Sequence, residues 1–197
     1  MSALKQLLVA TTSAGKLREI EAALAGLDIE LLGLRDRPVA MPEETGASFE
    51  ENAALKARAA LAATGLPALA DDSGLEVDAL DGEPGVRSAR WENLPDDQAR
   101  YRRLLERLRG RPDRTARFVS VIVLALPGAE ELVFRGEAEG WITTAPRGDG
   151  GFGYDPVFHS AELGKTFAEA TLEEKGAVSH RGRALAALRA RLAAPGA

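Results

Sequence analysis

Short apolar runs and helical stripes of apolar residues take turns along this 197-residue chain. Leu4–Ala10 is an apolar run of strand length. Lys16–Leu27 spaces Leu17, Ile20, Leu24 and Leu27 for one apolar face, which predicts a helix. Ser48 opens a second helix, because Glu51 follows it at the capping-box spacing; the helix runs to Thr64 and stops at Gly65, before Pro67. "LPALA" predicts a short buried strand that ends at "DDSG". Pro95–Leu108 predicts a third helix, with Leu104, Leu105 and Leu108 inward and Gly110 as its stop.

"RFVSVIVLALPGAEELVFRGEAEGWI" predicts two strands joined by a Pro-Gly turn, and Phe118–Leu126 is apolar enough for the centre of a sheet. A long loop, "TTAPRGDGGFGYDPVF", follows. Thr171–Lys175 reads as a helical turn, and Ser179–Leu192 as a closing helix with Ala184, Leu185, Leu188 and Leu192 inward. The alternation predicts an α/β fold with a mixed sheet, one domain over residues 1–197 with no linker or repeat.

Composition narrows the function classes. A 45% hydrophobic chain of this length buries a sizeable core. A net charge of −5 argues against a nucleic-acid backbone as partner, although it leaves room for a local basic pocket. With no cysteine, disulfides and thiolate metal sites are excluded. The N-terminal apolar run is too short for a signal peptide and no 18-residue apolar stretch occurs, so the expectation is a cytoplasmic chain without membrane association.

Five stretches carry candidate chemistry. "ATTSAGK" (10–16) joins a strand to a helix, yet it is not a Walker A loop: Ala10 stands where the first Gly belongs, and Leu17 where the Mg²⁺-holding hydroxyl belongs. Its Thr11, Thr12 and Ser13 hydroxyls, helix N-terminus and Lys16 are the parts of an anion site; a capped turn with an exposed lysine fits equally well. In "EETGASFEENAALKA" (43–57), Asn52 and Lys56 share a helix face lined by alanines, after Glu43 and Glu44 in the loop. Asp71 and Asp72 of "ADDSGLEV" suit Mg²⁺, which takes few carboxylates and completes its shell with phosphate oxygens; an Asp-rich turn is the plainer reading. "GDGGFGYDPVF" (148–158) offers glycines for close backbone approach and Phe152 and Tyr154 for stacking on a flat ring, or for burial in the core. Finally, Ser179 caps a helix whose first residues, His180 and Arg181, oppose the macrodipole and so suggest a ligand; His159 reads as structural.

In order, "ATTSAGK", "EETGASFEENAALKA", "ADDSGLEV", "PGVRSAR", "GGFGYDPVF" and "SHRGRAL" resemble the motifs of the inosine triphosphate pyrophosphatase family, from about residue 7 to residue 192. The resemblance implies Mg²⁺-dependent hydrolysis of ITP, dITP and XTP to monophosphate and pyrophosphate. It also implies a homodimer and a two-lobed α/β fold on a long mixed sheet, with the active site in the cleft between lobes. Thr11, Thr12, Ser13, Ala14, Gly15 and Lys16 match the triphosphate loop, with Ser13 where the family often has Asn. Glu44 matches a metal carboxylate, and Lys56 the lysine of the Asn-Ala-x-x-Lys helix. Asp71 and Asp72 match the acidic pair, catalytic together with Lys16 and Lys56, Asp72 being metal ligand and general base, and Ser73 a substrate contact. Phe152, Gly153, Tyr154 and Asp155 match the base-binding loop, and Lys175, His180 and Arg181 the other groups around the purine. On this reading "ATTSAGK" is a phosphate cradle with "DDSG" as its neighbour in space.

Overall fold

A computed structural model describes residues 4–193. In chain order the elements are β1 (Gln6–Val9), α1 (Ala14–Leu24), β2 (Glu30–Gly33), α2 (Phe49–Thr64), β3 (Ala68–Val77), α3 (Asp97–Arg107), β4 (Thr115–Ala125), β5 (Leu132–Ile142), β6 (Phe158–Ser160), α4 (Leu172–Val178) and α5 (His180–Ala193). Short 3₁₀ turns fill the stretch between β3 and α3. The strands form one six-stranded sheet in the order β2-β1-β3-β4-β5-β6. It is mixed, as expected: β1 runs parallel to β2 and β3, and β5 antiparallel to β6.

The chain folds into two compact units. The first comprises the segment up to Asp72, Ser120–Gly136 and the segment from Arg181; the second comprises Ser73–Val119 and Glu137–His180. In the first, Leu7 and Val9 of β1, Leu69 of β3, and Ile122 and Leu124 of β4 pack with Ile20 and Leu24 of α1 and Ala184, Leu185 and Leu188 of α5. In the second, Leu75, Trp91, Leu104, Phe118, Tyr154, Phe158 and Phe167 are among the buried apolar side chains of a separate core.

Local chemistry explains most boundaries. Ser48 Oγ accepts from Glu51 N at 3.2 Å, and Gly65 closes α2 in the left-handed region, where the sequence placed both ends. Only half of the expected capping box forms, since Glu51 Oε2 accepts from Ala47 N instead of Ser48 N. α1 ends at Leu24 rather than Leu27, because Ala25 has left helical geometry and Gly26 follows at φ +81°; Leu27 still packs, half-buried, on the first core. α3 starts at Asp97, capped by Asp96.

β3 is the main departure. It does not end at "DDSG" but runs through both aspartates to Val77. A strand carrying two buried carboxylates is unfavourable by itself, and cations supplied by other elements make it possible here. The four-residue β2 and three-residue β6 are too short to leave a periodic signal in the sequence.

Gly140 of β5 shows how tightly the sheet edge is fitted. A Cβ there would lie 2.1 Å from the His159 carbonyl oxygen of β6 and 2.8 Å from the Phe158 ring. Gly140→Ala is therefore expected to destabilise the protein by about 1–3 kcal/mol, read as a lower urea midpoint at unchanged m-value.

Candidate active site

The parallel register Val9↔Leu69 sets the turn after β1 beside the residues that follow Leu69 in β3. The chain passes from β1 to β2 on one side and returns to β3 on the other, so these strand ends form a topological switch point, where open α/β sheets place ligands. The turn is held by its own hydroxyls: Thr11 Oγ1 accepts from Ser13 N at 3.2 Å, and Ser13 Oγ accepts from Lys16 N at 3.4 Å as the cap of α1. Thr12 and Ala14 are exposed, and Gly15 is half-buried. Lys16 reaches across to Asp71, with Nζ 2.5 Å from Oδ1. The expected nearness of "ATTSAGK" to "DDSG" is thus a direct ion pair.

Asp71 is fully buried and serves several donors. Arg181 Nε lies 3.3 Å from its Oδ2, and Ser120 Oγ donates to the same oxygen at 2.6 Å. Arg181 Nη1 pairs in turn with Glu19 of α1 at 2.5 Å. Burial opposes charge on Asp71, yet Arg181 and Lys16 hold its carboxyl well below the usual carboxylate range. Burial also lowers the Lys16 pKa, and Asp71 only partly restores it.

The sequence offered Arg181 as a group around the purine. The structure commits its Nε, Nη1 and Nη2 to Asp71 and Glu19. The cation at the α5 N-terminus, which suggested a ligand, is thereby compensated inside the first unit. Glu19 and Ser120 went unread in the sequence; only Glu19, one helical turn after Lys16, carried even a weak signal.

Beside this balanced set lies a different one. Lys56 Nζ is 2.6 Å from Glu44 Oε1 and 3.3 Å from Asp72 Oδ1. Burial works against the Lys56 charge, but Asp72 and Glu44 outweigh it and raise the pKa above that of an ordinary lysine. Burial lifts the Asp72 carboxyl above its usual value, with Lys56 and Lys16 only partly offsetting the shift. The second oxygen of Asp72, Oδ2, is buried without a hydrogen-bond partner. Glu43, the neighbouring acid, is exposed. Among the described residues, no group of three or more His, Cys, Asp and Glu side chains is gathered to hold a metal ion.

Glu44 owes its place to Asn52. This fully buried amide accepts from Gly46 N at 2.8 Å and donates to Gly46 O at 3.4 Å, clamping the loop to α2. A Cβ on Gly46 would lie 2.7 Å from Asn52 Oδ1, so the clamp requires glycine.

The second unit holds the aromatic loop. Asp155 Oδ2 accepts from Phe152 N at 2.9 Å and from Lys175 Nζ at 2.6 Å, and Lys175 stands 4.7 Å from the centroid of the half-buried Phe152 ring. Gly151 lets the chain pass: a Cβ there would lie 2.1 Å from Asp155 Oδ2. Of the two uses open to Tyr154, stacking or burial, the structure shows burial in the core; its hydroxyl donates to Ser88 O at 3.0 Å, and burial raises its pKa. His180 is buried too, stacked on Phe118 at 4.6 Å between centroids. Ser73 continues β3, half-buried.

Removing the charge of Asp71 takes the carboxylate from Lys16 and one of two from the buried Arg181. Asp71→Asn should lower the unfolding free energy by about 3–5 kcal/mol, measured by urea denaturation. Gly46→Ala should break the Asn52 clamp, displace the Glu44 loop and lower the same free energy by about 1–3 kcal/mol.

The Ham1 family model matches residues 7–191. A Deinococcus deserti protein named dITP/XTP pyrophosphatase is 60% identical over 186 residues, covering 94% of this chain and 88% of that one. A Thermus thermophilus protein of the same name is 55% identical, covering 93% and 89%. Among solved structures, a HAM1 protein from Coxiella burnetii superposes with TM-score 0.88 at 42% identity, covering 96% of this chain and 98% of its own. On the sequence match, the shared fold and the residues assembled above, the chain belongs to the Ham1 family.

Proposed function

We propose that this protein hydrolyses dITP, XTP and ITP to the nucleoside monophosphate and pyrophosphate, and so keeps non-standard purines out of nucleic acids. The names of its relatives support the reaction. The observation that carries it is Asp72: a buried carboxylate with one oxygen on Lys56 and the other without a partner. A residue with only a structural task would have both oxygens satisfied.

Glu44 and Asp72 both reach the Lys56 ammonium, which brings the two carboxylates together. Two neighbouring carboxylates, with an open oxygen on Asp72, fit a hard cation that draws most of its ligands from water and phosphate. In our reading Glu44 and Asp72 hold Mg²⁺. When bound, the ion supplies Lewis-acid charge on phosphate oxygens.

The remaining steps belong to the chain itself. The α1 N-terminus, with Thr11–Gly15, receives phosphate oxygens through backbone N–H groups and hydroxyls. Lys16 and Lys56 oppose the negative charge that grows on the departing pyrophosphate. Asp72 orients the attacking water and accepts its proton. Asp71 takes no part in bond breaking; it keeps Lys16 in place. Phe152 stacks on the purine, and Lys175, steadied by Asp155, donates toward an acceptor on the base. ITP and XTP offer oxygen at C6 where ATP offers an amino donor, and a donor left unpaired by ATP costs about 1–3 kcal/mol.

The test is product analysis by anion exchange with Mg²⁺ and, separately, dITP, XTP, GTP, ATP and dTTP. Monophosphate plus pyrophosphate is expected from dITP and XTP, with ATP intact. Chelation should stop the reaction, and Asp72→Asn should lower kcat by roughly 10²–10⁴-fold. Diphosphate and orthophosphate as products would rule out the proposed bond cleavage, and turnover of dTTP in preference to dITP would make the enzyme a pyrimidine pyrophosphatase.

A further inference from the structure

We propose that Asp97, in the first turn of α3, is a positioning residue for base recognition: it fixes the peptide that follows Phe152 and so sets the direction of the Phe152 ring. The inference rests on the reading of Phe152 as the stacking group given above.

Phe152 sits between two peptide units, each held by a different carboxylate. The N–H of Phe152 belongs to the preceding peptide and donates to Asp155 Oδ2 at 2.9 Å. The N–H of Gly153 belongs to the following peptide and donates to Asp97 Oδ2 at 2.7 Å. Peptide units are planar, so the backbone around one residue has only two soft angles. Holding the planes on both sides fixes both angles, and with them the Cα–Cβ direction of Phe152. Lys175, 4.7 Å from the ring centroid, then restrains the ring itself. The carbonyl of that second peptide accepts from Asp155 N at 3.2 Å, and Asp97 holds its other edge with a shorter, charge-assisted bond.

The helix has no need of Asp97 for its own start. Asp96 is the N-cap, and its Oδ1 accepts from Ala99 N at 2.7 Å. The other oxygen of Asp97, Oδ1, takes Arg100 Nη2 at 2.5 Å, while Arg100 Nη1 donates to Leu94 O at 3.1 Å. Such i,i+3 pairs contribute only about 0.2–0.5 kcal/mol to a helix. Here the pair anchors the carboxylate to the segment before α3. One oxygen of Asp97 is thus braced by its own helix, and the other is spent on a backbone amide 56 residues further along the chain. A charge-assisted bond of this kind is about twice as strong as a neutral one.

The experiment compares wild type, Asp97→Ala, Asp97→Asn, Phe152→Leu and the Asp97→Ala/Phe152→Leu double variant. It measures kcat and KM for dITP, inosine monophosphate affinity by calorimetry, inhibition by pyrophosphate, and Tm. Asp97→Ala should raise KM for dITP and weaken inosine monophosphate binding by about tenfold, with kcat, pyrophosphate inhibition and Tm near wild type. Asp97→Asn keeps an oxygen acceptor but loses the charge, and should show the same pattern at roughly threefold. With the ring removed in Phe152→Leu, adding Asp97→Ala should change KM by less than about twofold.

Equal weakening of pyrophosphate and inosine monophosphate would show a general structural role and overturn the proposal. So would an unchanged KM in Asp97→Asn, or full additivity in the double variant. Wild-type turnover of dITP that is indifferent to Asp97 overturns this inference alone, whereas a wild type that neither turns over dITP nor binds inosine monophosphate overturns the proposed function with it.

Discussion

A buried, ionised Asp71 between Lys16 and Arg181 is the constraint on which the first unit depends. A carboxylate in the interior without compensation would be neutralised or expelled. Its compensation comes from two elements distant in sequence, the start of α1 and the start of α5, and Glu19 of α1 balances the remaining charge of Arg181. The set therefore closes only when α1, β3 and α5 are all in place. Folding of this unit and placement of Lys16 are one event, because the same ion pairs serve both.

The neighbouring carboxylate, one residue on, lies in a contrasting field. Asp71 pairs directly with Lys16 and Arg181, whereas Asp72 pairs directly with Lys56, which also contacts Glu44. Burial raises the Asp72 pKa, while its partners drive that of Asp71 down. Two adjacent side chains of the same type thus acquire different chemistry from their surroundings, as the placement of charged groups governs acidity in low-dielectric sites.

In the second unit the equivalent organising element is backbone rather than charge balance. Gly151 lets the Asp155 carboxylate approach the main chain where a side chain would forbid it, and Asp97 takes the Gly153 amide. Asp155 faces Phe152 N and Lys175 together, so the loop and the cation over its aromatic ring are ordered by one side chain. Tyr154, next in sequence to Gly153, anchors the loop in the core through its hydroxyl on Ser88. The loop is fixed at successive residues by different means.

Much of this was legible in the sequence, for reasons that are local. Helical periodicity and caps set α2 from Ser48 to Gly65, because propensity and capping act within a few residues. The order of the motifs indicated the family, and the capped turn before Lys16 was legible because Ser13 and the helix it caps are contiguous. What tertiary structure alone decided was the use of each charge. The continuation of β3 through Asp71 and Asp72 depends on cations from α1, α2 and α5. The internal pairing of Arg181 depends on Glu19, 162 residues away. Tyr154 was drawn into the core, and Asp97 reached Gly153, through contacts that leave no periodic trace. Periodicity reports which face of an element is apolar; it says nothing about which distant charge will meet it, since Coulombic partners are chosen by the fold and not by spacing along the chain.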